Sequence, residues 1–220
     1  MAKEILRPLQ KDFIVLFAKN KFLKKRFYLT GGTALAGYYL HHRYSEDLDF
    51  FSQEEIDIAG INVFFREIKN AVKIQKIDYQ QSFNRNIFFL HTKREILKVE
   101  FTYFPFEQAE KPLQKNGILV DSVKDIAINK AFTILQNPRA RDFIDLYYIL
   151  KKYKSLSLSK LLKLARIKFD SQIDPIQLGT QLLKAKDIHD LPRMLGKINH
   201  QQWRLFFIKQ AGLLSEEIFR

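Results

Sequence analysis

Apolar residues recur four apart at Ile5, Leu9, Phe13 and Phe17, which predicts an amphipathic helix within residues 4–24. Pro8 suits its first turn, where the missing N–H is not needed, so the regular part starts there. RFYLTG (26–31) is short and rich in aromatic or β-branched residues and reads as a strand, stopped by two glycines. TALAGYYLHHR (33–43) then reads as a helix, EDLDFF (46–51) as a second strand and EEIDIAGINVFFREIKN (54–70) as a helix again. Beyond it the pattern changes. VKIQKIDY (72–79), NIFFLHT (86–92) and ILKVEFTYF (96–104) alternate or are densely apolar, which predicts three more strands, the last two joined as a hairpin around KRE. Pro105 and Pro112 end that region, and NGILV adds a short final strand.

The remainder is patterned as helices. Ser122 stands before VKDIAINKAFTIL with Asp125 three residues on, a spacing that resembles a capping box. That helix ends near Asn137-Pro138, because proline disfavours helical geometry in the residue before it. ARDFIDLYYILKKY (140–153), LSKLLKLARIKF, PIQLGTQLLKA and HQQWRLFFIKQA follow as helices. The fold class this implies is α+β: a mixed sheet with flanking helices over residues 1–120, then a helical region over 121–220.

Composition narrows the classes. The 220 residues suffice for one sizeable core or two small layers, and 46% hydrophobic content with 20 phenylalanines suggests an aromatic-rich interior. The absence of cysteine excludes disulfides, thiolate metal sites and cysteine nucleophiles. The N-terminus lacks the apolar run of a signal peptide, and no run approaches membrane-spanning length, so the expectation is a soluble cytoplasmic protein with no membrane partner. The five histidines include the adjacent His41 and His42, which diverge on a helix, and the rest stand apart, so no histidine metal cluster is expected. A net charge of +13, spread over both halves, reads either as a solvated surface or as attraction to a polyanion such as RNA or nucleotide phosphates.

Against that basic background, FYLTGGTALAGYYLHHRYSEDLDFF (27–51) places Glu46, Asp47 and Asp49 together. On a strand, Asp47 and Asp49 point to one face and Leu48 to the other. Two strand rises separate them by roughly 6.6 Å, and at an effective dielectric near 20 such charges repel by about 2–3 kcal/mol. A cation offsets that cost, and paired carboxylates suit Mg²⁺ or Mn²⁺, which take oxygen donors and keep positions for water and phosphate. A D-x-D alone is more often a solvated edge or cap; its neighbours change the odds. Gly31 and Gly32, between a strand and a helix, are either a plain tight turn or a close backbone approach to a ligand. Thr33 either caps the following helix or contacts a phosphate at its N-terminus.

The pattern of a glycine turn followed by D-x-D on the next strand resembles the polymerase-β-type nucleotidyltransferase superfamily. In its longer form it is similar to the AbiEii/AbiGii toxin group, in which G-G-[ST]-x-L precedes R-x-S-x-D-[IL]-D: here Gly31, Gly32, Thr33 and Leu35, then Arg43, Ser45, Asp47, Leu48 and Asp49. The resemblance implies a third carboxylate in a K-[IV]-[DE] element, met by Lys98-Val99-Glu100, with Glu in place of the commoner Asp; Lys98, Glu100 and Thr102 then share one face, and Glu100 is otherwise an exposed residue paired with Lys98. It implies a phosphate-contacting lysine followed by alanine, met by Lys130-Ala131, which is otherwise a solvent-facing helical lysine. It also implies a basic-Asp-x-x-Asp block, met by Arg139, Arg141, Asp142 and Asp145. These two aspartates either position Lys130 or bind substrate, or else Arg141 and Asp145 form an i,i+4 pair while Asp142 favours the helix start. The four blocks run in order from Gly31 to Tyr148, and residues 155–220 contribute none.

The expectation is therefore a metal-dependent nucleotidyltransferase moving a nucleoside monophosphate from an NTP to an acceptor, RNA or the 3′ end of a tRNA, as the toxin of a toxin–antitoxin pair. Asp47, Asp49 and Glu100 would hold the metal; Gly31, Gly32, Thr33 and Lys130 would meet the phosphates. Arg43 would do likewise or pair with Glu46, and Ser45 would serve as a phosphate contact or a turn residue. The alternative is a nucleotide- or RNA-binding module on the same fold without turnover.

Overall fold

The computed structural model describes residues 5–218; residues 1–4, where the N-terminal reading begins, and 219–220 lie outside them. The chain divides into two compact units, Met1–Ser122 and Val123–Arg220.

The first unit is a seven-stranded mixed sheet with helices. It runs α1 (Pro8–Lys19), α2 (Leu23–Arg26), β1 (Tyr28–Thr30), α3 (Gly31–Leu35), a π-helical turn (Ala36–Leu40), β2 (Leu48–Ser52), α4 (Ile58–Ile68), β3 (Lys76–Ser82), β4 (Arg85–His91), β5 (Ile96–Tyr103), β6 (Leu113–Lys115) and β7 (Ile118–Val120). The strand order is β3-β4-β5-β2-β1-β7-β6. β2–β5 and β1–β7 pair in parallel, and β1–β2, β3–β4, β4–β5 and β6–β7 antiparallel.

Local chemistry sets the element ends. Pro8 occupies the first turn of α1, and the Gln10 side chain reaches back to accept the Arg7 N–H at 2.9 Å. Asp57 caps α4 by accepting the Gly60 N–H at 3.0 Å. The helix expected over 33–43 begins at Gly31 instead, widens to a π turn at Ala36 and stops at His41, whose φ is 52°. The strand expected from Val72 starts at Lys76: Val72 and Ile74 are buried in the turns after α4, where the Ile74 N–H closes onto the Lys69 carbonyl at 2.9 Å. β6, three residues at the sheet edge, has too little pattern to be seen in the sequence.

One sheet face carries the core. Phe50 of β2 and Phe101 of β5 are in register and stack at 5.5 Å between ring centroids. Phe17 of α1 stacks on Phe50 at 4.3 Å, and Phe65 of α4 meets Phe88 of β4 edge-on at 4.8 Å. All five rings are fully or almost fully buried, which is worth roughly 1.5–3 kcal/mol each in removed apolar surface. With α1 and α4 on this face, the alternate residues of β2 and β5, Asp49 and Glu100 among them, project from the opposite one.

The second unit is helical: α5 (Val123–Gln136), α6 (Ala140–Lys152), α7 (Leu158–Lys168), α8 (Pro175–Leu183), a 3₁₀ turn (Lys184–Lys186) and α9 (His200–Ile218). Phe143 of α6 packs on Phe207 of α9 at 4.9 Å and beside Trp203. Among the described residues no helix is long and apolar enough to cross a membrane.

Phe101→Ala is expected to lower the unfolding free energy by about 3–5 kcal/mol, because the cavity opens between α1 and the sheet. Phe83→Ala, at a residue 97% exposed on the β3–β4 turn, is expected to stay within about 0.5 kcal/mol of the parent. Guanidinium denaturation of the two variants measures the contrast.

Candidate active site

Asp49 and Glu100, two of the acids singled out in the sequence, are neighbours on the polar face of the sheet, and the third, Asp47, stands at the entry to β2. Asp49 on β2 lies opposite Thr30 of β1 on one side and Glu100 of β5 on the other. Asp47 lies one residue before β2. Its carbonyl accepts a hydrogen bond from the Thr33 hydroxyl, so Thr33 ties α3 to the strand entry and is itself buried.

Cations meet these carboxylates. Arg85 of β4 forks onto Glu100, Nε to Oε1 and Nη2 to Oε2, each at 2.6 Å. The Thr102 hydroxyl donates to the same Oε1 at 2.8 Å. Lys98 lies 3.0 Å from Asp47 Oδ2 and 3.9 Å from Glu100 Oε2, so it bridges two of the acids. Burial of Glu100 works against its ionisation, but hydrogen bonds from Arg85 and Thr102, with the charges of Arg85 and Lys98, outweigh it and hold the carboxyl below the usual glutamate range. The fork to Glu100 raises the Arg85 guanidinium above its ordinary value against the opposing effect of its own burial; the charges of Glu100, Asp49 and Asp47 add to the rise.

The glycine pair serves the same cluster. Gly31 has φ +70°, and a Cβ on it would stand 2.6 Å from Asp49 Oδ2. A Cβ on Gly32 would collide with the Arg43 guanidinium and lie 3.1 Å from Ser45 Oγ. One glycine thus admits the acid and the other the base. Arg43 is buried and donates to the Tyr44 carbonyl at 2.9 Å. Behind it, Gln10 of α1 donates to the Ser45 and Glu46 carbonyls, both at 3.1 Å, and Arg7 to the Glu46 carbonyl at 3.0 Å, which fixes the loop carrying Asp47.

The donors available for a metal are all carboxylate oxygens, which is the chemistry of Mg²⁺ and Mn²⁺ rather than of softer ions. Among the described residues, however, no three acidic or histidine side chains stand as a ready-made ligand group. The converged pocket expected from the sequence is replaced by an arrangement in which Arg85 and Lys98 hold Glu100 and Asp47. The carboxylate donors suit a divalent cation once Arg85 releases Glu100.

The second unit holds its own cluster. Lys130 of α5 lies 2.6 Å from Asp142 Oδ1 and 3.0 Å from Asp145 Oδ2, both on α6. Asp142 Oδ2 also accepts the Arg139 N–H at 3.1 Å, so it caps the helix and holds the lysine together. Of the alternatives open in the sequence, Asp145 turns to Lys130, and Lys130 is a buried cation rather than a solvent-facing one.

The family described as nucleotidyl transferase AbiEii toxin, type IV toxin–antitoxin system, matches residues 14–219. The chain belongs to the AbiEii family. An uncharacterized protein of Aquifex aeolicus is 34% identical over 145 residues, 65% of this chain and 66% of that relative, just under two thirds of its length. Two Helicobacter pylori structures, a proposed nucleotidyltransferase and JHP933, superpose with a TM-score of 0.60 each, at 21% and 22% identity; both alignments cover 95% of this chain, with 92% and 90% of theirs, and they show a shared fold. The AbiEii match also runs through residues 155–219, where the sequence motifs are silent.

In this AbiEii chain, sequence reasoning missed Arg85, Gln10 and Arg7 at the site. Arg85 was within reach of it. A hairpin turning at KRE pairs His91 with Ile96 and therefore Arg85 with Thr102, two residues from Glu100 on the same face.

Two predictions follow from the geometry. Gly31→Ala loses roughly 1–2 kcal/mol for the left-handed backbone plus a steric part from Asp49. In an Asp49→Ala background the steric part vanishes, so a double-mutant cycle on denaturation midpoints shows coupling between the two sites. The second concerns acid. Because the folded Glu100 value is depressed, its stabilisation is complete above about pH 4.3, the free-chain range, and is lost as pH falls through the lower folded value. The stability advantage of the parent over Glu100→Gln therefore narrows below about pH 4, as read from urea midpoints measured between pH 7 and 3.

Proposed function

We propose that this chain transfers a nucleoside monophosphate from an NTP to an acceptor hydroxyl in a divalent-metal-dependent reaction, with RNA as the acceptor. The single observation carrying the reading is the registered placement of Asp49 beside Glu100 on the polar sheet face, with Asp47 linked to Glu100 through Lys98. Membership in the AbiEii family supports nucleotidyl transfer and an antitoxin counterpart. The net charge of +13 supports a polyanionic acceptor, of which a tRNA 3′ end is the favoured example.

Asp47, Asp49 and Glu100 are the residues that would hold Mg²⁺ or Mn²⁺. When bound, the ion supplies Lewis-acid stabilisation of charge developing on the phosphate oxygens. The rest falls to the chain. Glu100 is held ionised by its hydrogen bonds, which suits a ligand better than a general base, since a base works best with a value near the working pH. Gly31 keeps the Asp49 carboxylate against the backbone turn, and Thr33 and Gln10 keep the Asp47 loop from drifting. Gly32, Arg43 and Ser45 form one packed unit behind the turn, so their part is to hold its shape and to present the backbone to phosphate. Lys130, held between Asp142 and Asp145, is the cation in the helical unit suited to meet a phosphate. In this reading residues 1–120 carry the transfer and the helical residues 121–220 bind the acceptor.

Incubation with α-labelled NTPs, Mg²⁺ and total RNA tests this. Label entering RNA with the parent and falling at least about a hundredfold with Asp49→Ala supports transfer, on the scale expected when a charge-stabilising group is removed. RNA binding without label, unchanged by Asp49→Ala, makes the chain a binding module instead. Sequencing RNA 3′ ends after expression identifies the acceptor class by its untemplated nucleotides.

A further inference from the structure

Three of the basic side chains that hold buried carboxylates, Lys168, Lys130 and Arg85, differ in one respect. In the pair Lys168–Asp125 the lysine side chain is 6% exposed, and in Lys130–Asp142 it is 10% exposed, so both partners are locked inside. In Arg85–Glu100 the acid is 4% exposed but the arginine is 51% exposed. Glu100 cannot turn to water, whereas Arg85 can leave with little loss of solvation. The fork also uses up the carboxylate. Of roughly four acceptor positions on a carboxylate, Arg85 takes two and Thr102 a third. A divalent ion bound through Glu100 with useful geometry has to displace the guanidinium.

We propose that Arg85 is a displaceable counter-cation: it holds Glu100 in place before the metal arrives, leaves when the ion binds, and passes its two-pronged donor set to a phosphate of the incoming nucleotide. This rests on the metal-dependent reading above and adds a partner exchange to it. The exchange is balanced in charge, because one carboxylate loses a monovalent cation and gains a share of a divalent one while the guanidinium moves to another anion. Arg85 suits both partners, since its planar fork matches carboxylate and phosphate alike. It is the first residue of β4, directly after the Phe83–Asn84 turn, and its half-exposed side chain has open space into which to move. Lys98 differs: it spans Asp47 and Glu100 and is only 26% exposed, so it stays as the fixed bridge.

The test is Mn²⁺ binding by the full chain, followed by isothermal calorimetry and by the loss of the free-ion paramagnetic resonance signal. Arg85→Met is compared with the parent, with Arg85→Lys, which keeps the charge but not the fork, and with Lys76→Gln. Lys76 is a basic residue on the same sheet face, paired with Asp78 and touching none of the three acids. The expected result is Mn²⁺ binding about five- to tenfold tighter in Arg85→Met, intermediate in Arg85→Lys and unchanged in Lys76→Gln. In the same variants, affinity for a non-hydrolysable NTP at saturating Mn²⁺ falls by a similar factor. Parent and Arg85→Met binding Mn²⁺ equally well would overturn the exchange and leave the metal reading standing. Equal tightening in Lys76→Gln would reduce the effect to net charge and overturn it as well. No Mn²⁺ binding in any variant would remove both the exchange and the metal reading beneath it. Circular dichroism checks that each variant is folded; Arg85→Lys carries the test alone if Arg85→Met is not.

Discussion

Carboxylates gathered on one sheet face need positive charge beside them, and much of the polar architecture of this chain answers that need. Asp49 and Glu100 are neighbours in parallel register, and Asp47 enters just before the strand. Unscreened, each such pair repels by about 2–3 kcal/mol at an effective dielectric near 20, a sizeable share of the total stability of a domain. Arg85 and Lys98 supply the opposing charge from the next strands. The helical unit solves the same problem with Lys130 between two aspartates. The opposite sheet face carries the apolar core through Phe17, Phe50, Phe65, Phe88 and Phe101, which leaves the polar face free to hold charged groups.

Holding these charges in place constrains the backbone. A turn between β1 and α3 built from residues with side chains would push the Asp49 carboxylate and the Arg43 guanidinium away. Two successive glycines let both groups rest on the main chain, and the Thr33 hydroxyl then fixes the distance between helix and strand by bonding the Asp47 carbonyl. The glycine pair is a requirement of packing between acid, base and backbone before any ligand is considered. A phosphate-approaching turn and an acid-accommodating turn are the same object here, because both demand a missing Cβ.

The sequence shows the local half of this arrangement. The 3.6-residue pattern of α1, the β-branched and aromatic run of β1, the hairpin of β4 and β5 and the helical second half all follow from short-range periodicity, and the structure contains each of them. The fold class read from that layout and the AbiEii resemblance both stand. What escaped depends on residues far apart in sequence. Gln10 reaches the Ser45 carbonyl across 35 positions, and nothing in its own surroundings marks it as more than a helix residue. Asp47 falls outside β2, where its carbonyl is held by the Thr33 hydroxyl 14 residues earlier, a contact that strand propensity does not register. Arg85 was hidden for a different reason. Its role appears only when hairpin register is carried along seven paired positions, and the side chain then reaches diagonally from the Thr102 position to Glu100.

The segment without motifs has its own physical part. Asp190 accepts the Ala140 N–H at 3.0 Å, which satisfies a donor in the first turn of α6, the helix that carries Asp142 and Asp145. Lys168 on α7 neutralises the fully buried Asp125 at the start of α5, the helix that carries Lys130. Trp203 and Phe207 of α9 cover Phe143, one residue beyond Asp142. Residues 155–214 therefore brace the two helices that carry the Lys130 cluster. A lysine held at 2.6 and 3.0 Å by two carboxylates tolerates little helix rotation, since a residue turns by about 100° for each step along a helix. That dependence explains how a stretch with no recognisable chemistry belongs to the same family match as the acids themselves.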